Sequence, residues 1–378
     1  MSYRDNPMHV QRADNAPPGS GPMLLKGALA LFGAGLLAAL VVYSFVVSPT
    51  EARAQGGCDR FAATNGNNNA PGTQQRPFRT VQKLANSLNP GQTGCLRGGV
   101  YGAANAQLSI RERGITLRSA PRQRAEIRAR IHVARGANGV TVRNLNLNGA
   151  PHNLPSVTVN AHSTRWLAND VTNHHRAESC FVLGSYGFGR ADNTLISNNR
   201  IHDCGRMPRS NHDHGIYVGL ADDTRIFHNT IFSNADRGIQ LYPDADRTRI
   251  RNNVIDGNGQ GIIFSGDNGV ASHSNRVIGN TITNAEARHN LESFYPDGNP
   301  IGRNNVAREN CVRGGARDSG NGGIQSPQRG FSVNSNVIQF PSYVNRSNGN
   351  FRIQNGNCRE LMLNPNVRSR TPFPGATS

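Results

Sequence analysis

Four segments of this chain share one pattern: LISNNRI at 195–201, RIFHNTI at 225–231, RIRNNVI at 249–255 and RVIGNTI at 276–282. In each segment an apolar residue is followed three positions later by Asn, and two positions after that by a second apolar residue. Extending the alignment gives a column that holds Leu145, Asn169, Asn199, Asn229, Asn253, Asn280, Asn310 and Asn336. Repeats of this length are typical of solenoid folds, in which each unit packs on its neighbours.

A second set of short segments alternates with the first: CFVL at 180–183, GIYV at 215–218, GIQL at 238–241 and GIIF at 261–264. Apolar residues stand at every other position, as in a β-strand with one buried face. These patterns predict an all-β parallel β-helix of three-strand coils, with equivalent side chains stacked about 4.8 Å apart. The Asn side chains of the column would then be buried and would bond to their neighbours in the coils above and below. We therefore interpret this column as structural. Helical solenoids are excluded because the segments lack a 3.6-residue period.

The flanking residues predict covers for the coil. A short amphipathic helix over Val81–Leu88 would cap the first coil, whose apolar end would otherwise be open. The longest insertions between repeats are Arg206–His212 and the stretch around Glu286–Pro300. We therefore divide the chain into a tail at 1–26, an apolar segment at 27–47, a linker at 48–57, a cap at 58–110, coils at 111–340 and a closing segment at 341–378.

The start of the repeat region resembles a known superfamily. The runs FAATNG at 61–66, PGTQQRPFRTVQKLANSL at 71–88 and CLRGGVY at 95–101 are similar to the start of many bacterial right-handed β-helix proteins in the pectate-lyase-like superfamily. The resemblance covers roughly residues 58–355 and implies a right-handed parallel β-helix. The superfamily contains polysaccharide lyases, glycoside hydrolases, uronate epimerases and noncatalytic proteins, so the resemblance implies a fold and not one reaction.

One segment near the N-terminus is long and apolar enough to cross a membrane. Gly27–Val47 contains no charged residue, and Lys26 precedes it. About 20 apolar residues span a bilayer as a helix, and a basic flank favours an N-terminus inside the cell. The sequence ARA that ends at Ala54 is typical of a signal peptidase site. We expect a retained single-pass anchor with the coils outside the cytoplasm, whereas cleavage after Ala54 would release a secreted protein.

The six cysteines agree with an oxidising location, because an even number in an exported chain predicts disulfides. We expect the pairs Cys58–Cys95, Cys180–Cys204 and Cys311–Cys358, in the order of the chain. The alternative is that one or more pairs stay reduced and pack in the core. The sequence contains no CxxC motif that would favour redox or metal chemistry.

The charge of the chain favours an anionic partner. The net charge is +17, and almost all basic residues are Arg, since Lys26 and Lys83 are the only lysines. A basic surface attracts polyanions, and Arg forms planar bidentate contacts with carboxylates. A solvated, Arg-rich surface without a partner is an equal alternative. Zinc spacings and nucleic-acid-binding motifs are absent, so we expect an acidic polysaccharide and the membrane as partners, no nucleic acid, and a monomer.

Polar residues come just before or within the stacked strands, so they should meet on one face within a few coils. They are Glu178, Ser179, His212, Asp213, His214, Tyr217, Asp236, Arg237, Gln240 and Tyr242. Several of them follow the long insertion at 206–212. Functional groups are often carried by loops on a rigid scaffold, so this face is the predicted site.

This set of residues suits acid–base chemistry on an acidic sugar. In the elimination of a uronate, Arg237 would neutralise the sugar carboxylate and His214 would remove the neighbouring proton. Tyr217 would protonate the leaving oxygen. An epimerase would use the same groups and return the proton to the opposite face of the sugar.

The remaining residues are assigned to binding or to a second mechanism. Gln240, Tyr242 and His212 are expected to contact substrate. Glu178, Asp213 and Asp236 would bind calcium, the only cofactor that the pattern suggests, through carboxylate oxygens. Asp213 and Asp236, on adjacent coils, are also the carboxylate pair that a glycoside hydrolase would need.

Each assignment has a structural alternative. Asp at a coil turn is ordinary turn chemistry, and Arg237 could serve only to pair with Asp213 or Asp236. The sequence also departs from β-helix lyases that use a Lys base, because no Lys lies within the coils. We therefore expect a lyase or epimerase acting on a uronate-containing glycan, with a noncatalytic envelope protein and a glycoside hydrolase as alternatives.

Overall fold

The computed structural model describes residues 57–103 and 105–363. Within them the chain winds as a coil whose turns pass through three sheets, A, B and C, in that order. The strands pair in parallel with the equivalent strand of the next coil, as Ile196 does with Ile226 in sheet A, except for Val270–Ala271, which pairs antiparallel with the end of Gln260–Asp267. The predicted parallel coil of three strands is confirmed.

The described residues place 11 strands in sheet A, nine in sheet B and nine in sheet C. Sheet A contains β1 Arg60–Ala62, β2 Thr93–Leu96, β5 Thr116–Ser119, β8 Thr141–Arg143, β11 Arg165–Leu167, β14 Leu195–Ser197, β17 Arg225–Phe227, β20 Arg249–Arg251, β24 Arg276–Ile278, β27 Asn305–Arg308 and β29 Phe331–Asn334. Sheet B contains β3 Gly99–Tyr101, β6 Ala125–Arg128, β9 Leu145–Asn148, β12 Asp170–Thr172, β15 Arg200–His202, β18 Thr230–Phe232, β21 Val254–Asp256, β25 Thr281–Ala285 and β28 Cys311–Gly315. Sheet C contains β4 Gln107–Ile110, β7 Arg130–Val133, β10 Val157–Val159, β13 Phe181–Leu183, β16 Ile216–Leu220, β19 Arg237–Asp244, β22 Gln260–Asp267, β23 Val270–Ala271 and β26 Leu291–Phe294.

The core lies inside the coil, where apolar side chains of equivalent strands stack. In sheet A, Ile196, Ile226, Ile250 and Val277 follow one another in register and are fully buried. Sheets B and C contribute similar stacks of Ile, Val, Leu and Phe. Full burial of one such side chain stabilises the fold by about 1.5–3 kcal/mol, and the largest fully buried side chains are Trp166, Phe181 and Phe264.

The Asn ladder forms as predicted at the turn between sheets A and B. The side-chain oxygen of each Asn accepts the backbone N–H of the equivalent residue one coil earlier. At the start of the ladder Asn169 accepts from Leu145 at 3.1 Å, and at its end Asn336 accepts from Asn310 at 2.9 Å. The side-chain amide donates to a strand carbonyl and to the next Asn, as Asn253 does to Ile226 and Asn280. The ladder therefore satisfies buried amides at every turn.

The N-terminal cover begins before the first predicted coil. Helix α1, Val81–Asn86, is shorter than the predicted Val81–Leu88 and packs against β1, β2 and β4 through Leu84 and Ala85. Thr80 caps it by accepting the N–H of Lys83. Strands β1 and β2 pair in parallel, and β2, β3 and β4 stack in parallel on the next coil, so the segment at 58–110 also contains strands of the three sheets.

The C-terminal segment lies against the outside of sheet B. It consists of the antiparallel pair β30 Tyr343–Asn345 and β31 Asn350–Ile353, a 3-10 turn Arg346–Asn348 and helix α2 Asn357–Leu363. Arg346 donates to the buried Asp256 at 2.7 Å, and Phe351 packs on Phe232 with ring centroids 4.8 Å apart. A closing segment from about residue 341 was predicted, and it covers a sheet face.

The three predicted disulfides are present. Cys58–Cys95, Cys180–Cys204 and Cys311–Cys358 join Cα atoms 5.7, 5.5 and 5.2 Å apart. They fasten the first strand, a middle coil and helix α2. The described residues include no free cysteine.

The predicted membrane segment Gly27–Val47 and the site at Ala54 lie outside the described residues. Within residues 57–103 and 105–363, no helix has the length and apolar character needed to cross a bilayer.

Candidate functional site

The outward side chains of sheet C form one column across the middle coils. Strand pairing places Val182, Tyr217, Gln240, Ile263 and Glu292 opposite one another in that order. The first four were predicted from the sequence. Glu292 was missed, although continuing the alignment by one coil, to NLESF at 290–294, would have found it. The outer surface around this column is called the sheet C face.

The two columns before these strands also lie as predicted. The backbone N–H of Asp236 donates to the carbonyl of Asp213 at 3.0 Å, which places these residues on adjacent coils. In the next column Arg237 pairs with Gln260, and Gln260 is a second residue that sequence reasoning missed. Gly215, Gly238 and Gly261 follow in three coils that approach closely: a Cβ on Gly261 would collide with the carbonyl of Asn290.

The insertion Arg206–His212 is fastened to the coil by its arginines. Arg206 donates to Asp213 through Nε at 2.8 Å and through Nη2 at 3.2 Å, and it also lies 3.6 Å from Glu178. Arg209 donates to the carbonyl of Ala235 at 2.7 Å. Burial raises the pKa of Glu178, although Arg206 opposes this. The positive charge next to Glu178 and Asp213 is thus supplied by the insertion.

His214 is buried and neutral at physiological pH. Burial, together with the charges of Arg237 and His212, holds the pKa of His214 well below its ordinary value of 6.5. Its ring stacks on Tyr217 with centroids 5.8 Å apart, and its Nδ1 accepts the backbone N–H of Arg237 at 3.4 Å. This contact favours the tautomer with the proton on Nε2.

Arg237 is a buried guanidinium that binds neutral oxygens. Nη1 donates to the carbonyl of Asn211 at 2.8 Å and to Oε1 of Gln240 at 3.1 Å, while Nη2 donates to Oδ1 of Asn211 at 2.7 Å. Burial lowers the pKa of Arg237, and Glu292 and Asp236 oppose this. Arg stays protonated in proteins. No described carboxylate lies within ion-pair distance of Arg237.

Three buried polar atoms near Arg237 have no hydrogen-bond partner among the described residues: Nε of Arg237, Oε1 of Gln260 and Oε1 of Glu292. The other oxygen of Glu292 accepts from Arg288 at 3.1 Å and His289 at 3.0 Å. An unpaired buried polar group costs about 1–3 kcal/mol, so three together in one region point to a site built for a polar ligand. Asn211, His214, Arg237, Gln240, Gln260 and Glu292 are called the polar cluster.

Aromatic side chains lie beside the polar cluster. Tyr217 and Tyr242 have ring centroids 6.2 Å apart, and Tyr242 donates to Asp267 at 3.1 Å. Burial raises the pKa of Tyr217, with further contributions from Tyr242 and Tyr186, so its hydroxyl keeps its proton. Tyr186 is 62% exposed and Phe294 on β26 is 56% exposed. Exposed rings on a polar face can stack on sugars while their polar groups stay hydrated.

The predicted calcium residues do not converge on an empty space, because Arg206 pairs with both Glu178 and Asp213. Asp236 instead accepts the backbone N–H of Asp213 at 2.9 Å. Among the described residues, the carboxylates that do converge are those of Asp222, Asp244 and Asp246. Two guanidiniums already neutralise that group: Arg190 lies 2.8 Å from Asp222 and 2.7 Å from Asp244, and Arg247 lies 3.0 Å from Asp222.

His289 bonds to Glu292 of the polar cluster and His212 follows Asn211 in the chain, whereas His202 lies elsewhere. His212 is exposed at the end of the insertion. On the outside of sheet B, His202 bonds to Asp170 at 3.0 Å and to Asp203 at 2.8 Å. Burial alone would lower the pKa of His202, but these two hydrogen bonds outweigh it and raise the pKa to about 9.

Two cavities of the described residues lie elsewhere. One of about 400 Å³ is lined by α1 and the first coils, including Thr80, Tyr101 and Leu108. The other, of about 210 Å³, is lined by His175, Arg209 and other residues. The larger is mainly apolar and borders no titratable cluster, so the candidate site is the sheet C face and not a deep pocket.

A family model described as the right-handed β-helix region matches residues 130–338, which is more than half of the chain. No curated protein sequence matches.

Three solved structures illustrate the likeness of fold. Pectate lyase Pel9A has a TM-score of 0.51 at 13% identity, over 79% of this chain and 86% of that chain. A rhamnogalacturonan lyase has a TM-score of 0.51 at 13% identity, over 80% and 96%. The complex of XylC with xylose has a TM-score of 0.54 at 12% identity, over 72% and 68%. At these identities the likeness establishes the fold alone.

Proposed function

Because the chain belongs to the right-handed β-helix family, we propose that it binds an acidic polysaccharide along the sheet C face and acts on it as a lyase or an epimerase. The observation that carries the proposal is the state of Arg237. Its charge is buried and is met by oxygens of Asn211 and Gln240, with no carboxylate in direct contact among the described residues. A buried cation of this kind is stabilised by an anionic ligand.

Two further observations support a polysaccharide as the class of ligand. Tyr217, Tyr242 and Phe294 provide rings beside Arg237 on the same face. Two of the solved structures with this fold are lyases, of pectate and of rhamnogalacturonan. The net charge of +17 also favours approach of a polyanion.

The proposed chemistry uses the groups predicted from the sequence. Arg237 neutralises the carboxylate of the sugar, which makes the neighbouring C–H more acidic. His214 is neutral because its pKa is depressed, so it can accept the proton. Tyr217 keeps its hydroxyl proton and can give it to the leaving oxygen. In an epimerase the proton returns to the opposite face, and no bond between sugars breaks.

His214 needs a free lone pair for this role. Its Nδ1 accepts the N–H of Arg237 at 3.4 Å, which is at the long end of a hydrogen bond. Giving up such a weak contact costs little, so the ring can exchange tautomer when substrate enters. His214 is 2% exposed, and the segment that covers it must therefore yield to the sugar.

A noncatalytic glycan-binding protein is the second candidate, and the burial of Asp213, His214 and Asp236 favours it. Their side chains bond to the coil: Asp213 to Arg206, His214 to the N–H of Arg237, and Asp236 to the N–H of Asp213. The same contacts disfavour hydrolysis by Asp213 and Asp236. A retaining or inverting pair must flank the bond to be cleaved, and Asp213 is held by a guanidinium.

We also propose where the protein works. The three disulfides indicate an oxidising compartment, and we keep the expectation of a single-pass anchor at Gly27–Val47 with the coils outside. The proposed partners are an acidic polysaccharide and the membrane, and not nucleic acid, with the protein as a monomer.

The test is incubation of the full-length protein, in detergent, with polygalacturonate, alginate and glycosaminoglycans, with and without Ca²⁺. Lyase activity would appear as ultraviolet absorbance of unsaturated ends, and epimerase activity as a changed uronate composition in NMR spectra. Arg237→Lys should abolish either activity, because an ammonium cannot reproduce the guanidinium fork. Arg225→Lys, on the exposed side of sheet A, is the matched control. Silence on every polymer, with binding retained, would favour the noncatalytic candidate.

A further inference from the structure

Asn211 contacts Arg237 in the way that a carboxylate would. Its two oxygens, the backbone carbonyl oxygen and Oδ1, accept from Nη1 at 2.8 Å and from Nη2 at 2.7 Å. Two oxygens on the two ends of a guanidinium are the pattern of a bidentate Arg–carboxylate pair. Asn211 has a φ of 72°, a left-handed conformation that turns both oxygens toward one group.

The surroundings of this contact are incomplete without a further ligand. Nε of Arg237 and the Oε1 atoms of Gln260 and Glu292 are buried and have no partner among the described residues. The amide nitrogen of Gln260 donates to Oδ1 of Asn211 at 3.3 Å. An acidic sugar carries a carboxylate for Arg237 and hydroxyl donors for the oxygens of Gln260 and Glu292, so it matches both the charge and the unmet hydrogen bonds.

We propose that Asn211 occupies the position of a uronate carboxylate, in a binding site formed by Arg237, Gln260 and Glu292, until the sugar displaces it. The inference rests on the proposed function, because it takes the ligand to be a uronate. Beyond the proposed function, Gln260 and Glu292 accept hydrogen bonds from the sugar hydroxyls, and Asn211 competes with the substrate for Arg237.

The insertion Arg206–His212 can move away from the coil at the position of Asn211. All seven residues of Arg206–His212 are exposed, so the segment itself buries no apolar side chain. Its own fastenings are polar, from Arg206 to Asp213 and from Arg209 to Ala235 and Glu286. A segment held by polar contacts at its base can move at the position of Asn211 while the coils stay intact.

The experiment measures binding of sodium glucuronate to the full-length protein by calorimetry, with glucose as the uncharged probe. Asn211→Gly keeps the left-handed backbone, which Gly adopts freely, and removes Oδ1. It should bind glucuronate about fivefold more tightly than the wild type, because the hydrogen bonds that Oδ1 accepts from Arg237 and Gln260 no longer compete with the sugar. Asn193→Gly, at an exposed left-handed Asn of another turn, is the matched control and should not change the affinity. Arg237→Lys should lose binding, and glucose should bind none of the variants.

A second measurement covers the case in which Arg237→Lys folds poorly. Hydrogen exchange of the wild type should become faster across residues 207–212 when glucuronate is added, since the ligand displaces that segment. Equal or weaker affinity in Asn211→Gly, absence of glucuronate binding in both proteins, or slower exchange of the segment would each overturn the inference.

The two proposals fail in different ways. If polymers are converted and Asn211→Gly binds glucuronate no better than wild type, the inference fails and the proposed function stands. If monomer binding follows the prediction and no polymer is converted, the carboxylate site stands and the enzymatic function fails.

Discussion

Arg206 binds both carboxylate oxygens of Asp213, through Nε at 2.8 Å and Nη2 at 3.2 Å, and its backbone N–H binds the same carboxylate at 3.1 Å. Asp213 is almost fully buried, while the Arg206 side chain is about half exposed. One exposed residue thus neutralises a carboxylate inside the coil and positions the start of the insertion.

We predict that Arg206→Gln lowers the free energy of unfolding by about 1–2 kcal/mol, because it leaves the charge of Asp213 without its partner. The same change should speed hydrogen exchange in residues 207–212. Urea unfolding measures the first effect. Arg247→Gln, whose partners Asp222 and Asp223 are 24% and 42% exposed, is the control and should cost less than about 1 kcal/mol. If both variants lost the same free energy of unfolding, the burial of Asp213 would not explain the effect of Arg206→Gln.

The Asn ladder yields a second prediction. Asn253 is fully buried, accepts the N–H of Asn229 at 2.8 Å and donates to the carbonyl of Ile226 at 2.8 Å. Asn253→Ala leaves both backbone groups unpaired and should destabilise the protein by about 2–4 kcal/mol in urea unfolding. Asn348→Ala, at an exposed Asn of the C-terminal segment, should change stability by less than about 0.5 kcal/mol. A small effect at position 253 would mean that water replaces the amide.

A third prediction concerns pH. The pKa of His202 is raised to about 9 in the fold, from an ordinary 6.5, so its contribution is complete below pH 6.5 and is lost as the pH rises to about 9. Because Asp170 and Asp203 are about a third exposed, we expect a loss of about 1–2 kcal/mol over that range. His202→Gln should flatten the alkaline side of the stability curve, and His212→Gln should leave it unchanged. If the stability of His202→Gln falls with rising pH as steeply as that of the wild type, another group is responsible for the pH dependence.

A fourth prediction separates catalysis from packing. If Tyr217 protonates the leaving oxygen, Tyr217→Phe should lower kcat about 100-fold or more, while its ring still stacks on His214 and Tyr242. Tyr343→Phe removes a hydroxyl that bonds Thr283 on sheet B, so it should affect stability and leave kcat unchanged. Full activity in Tyr217→Phe would leave the proton transfer to another group.

The pH profile of activity gives a fifth prediction. The pKa of His214 lies well below 6.5 and that of Tyr217 lies above its ordinary value. The neutral base and the protonated acid therefore coexist at neutral pH, and activity should fall only when the solution is acidic enough to protonate His214. A loss of activity centred near pH 6.5, the ordinary value for a histidine, would mean that the buried His214 is not the base.

The sequence predicted those parts of the fold that repeat. The Asn column from Asn169 to Asn336 and the outward column from Val182 to Ile263 lie where the alignment put them, because a parallel coil keeps equivalent residues in register. The disulfide pairs followed from chain order. The alignment did not include β2 to β4, since they carry no Asn of the ladder.

The sequence predicted where the candidate site lies, but only some of the residues that form it. His214, Arg237, Tyr217 and Gln240 share one face, as expected. Glu292 was missed because it lies within the stretch around Glu286–Pro300 that was interpreted as an insertion, whereas the structure has strand β26 of sheet C there. The contact of Asn211 with Arg237 could not be predicted at all, since the path of an insertion depends on tertiary contacts and not on the repeat.

The Asn ladder also bears on how such proteins change over generations. Each rung presents the same oxygen to the coil before it and the same amide to the coil after it, as Asn229, Asn253 and Asn280 do. A whole coil can therefore be duplicated or deleted without an unmatched hydrogen bond, and the outer face lengthens or shortens by about 4.8 Å each time. If the proposed function holds, the number of sugar units that fit along the sheet C face would change with each coil gained or lost, while the interior stays the same.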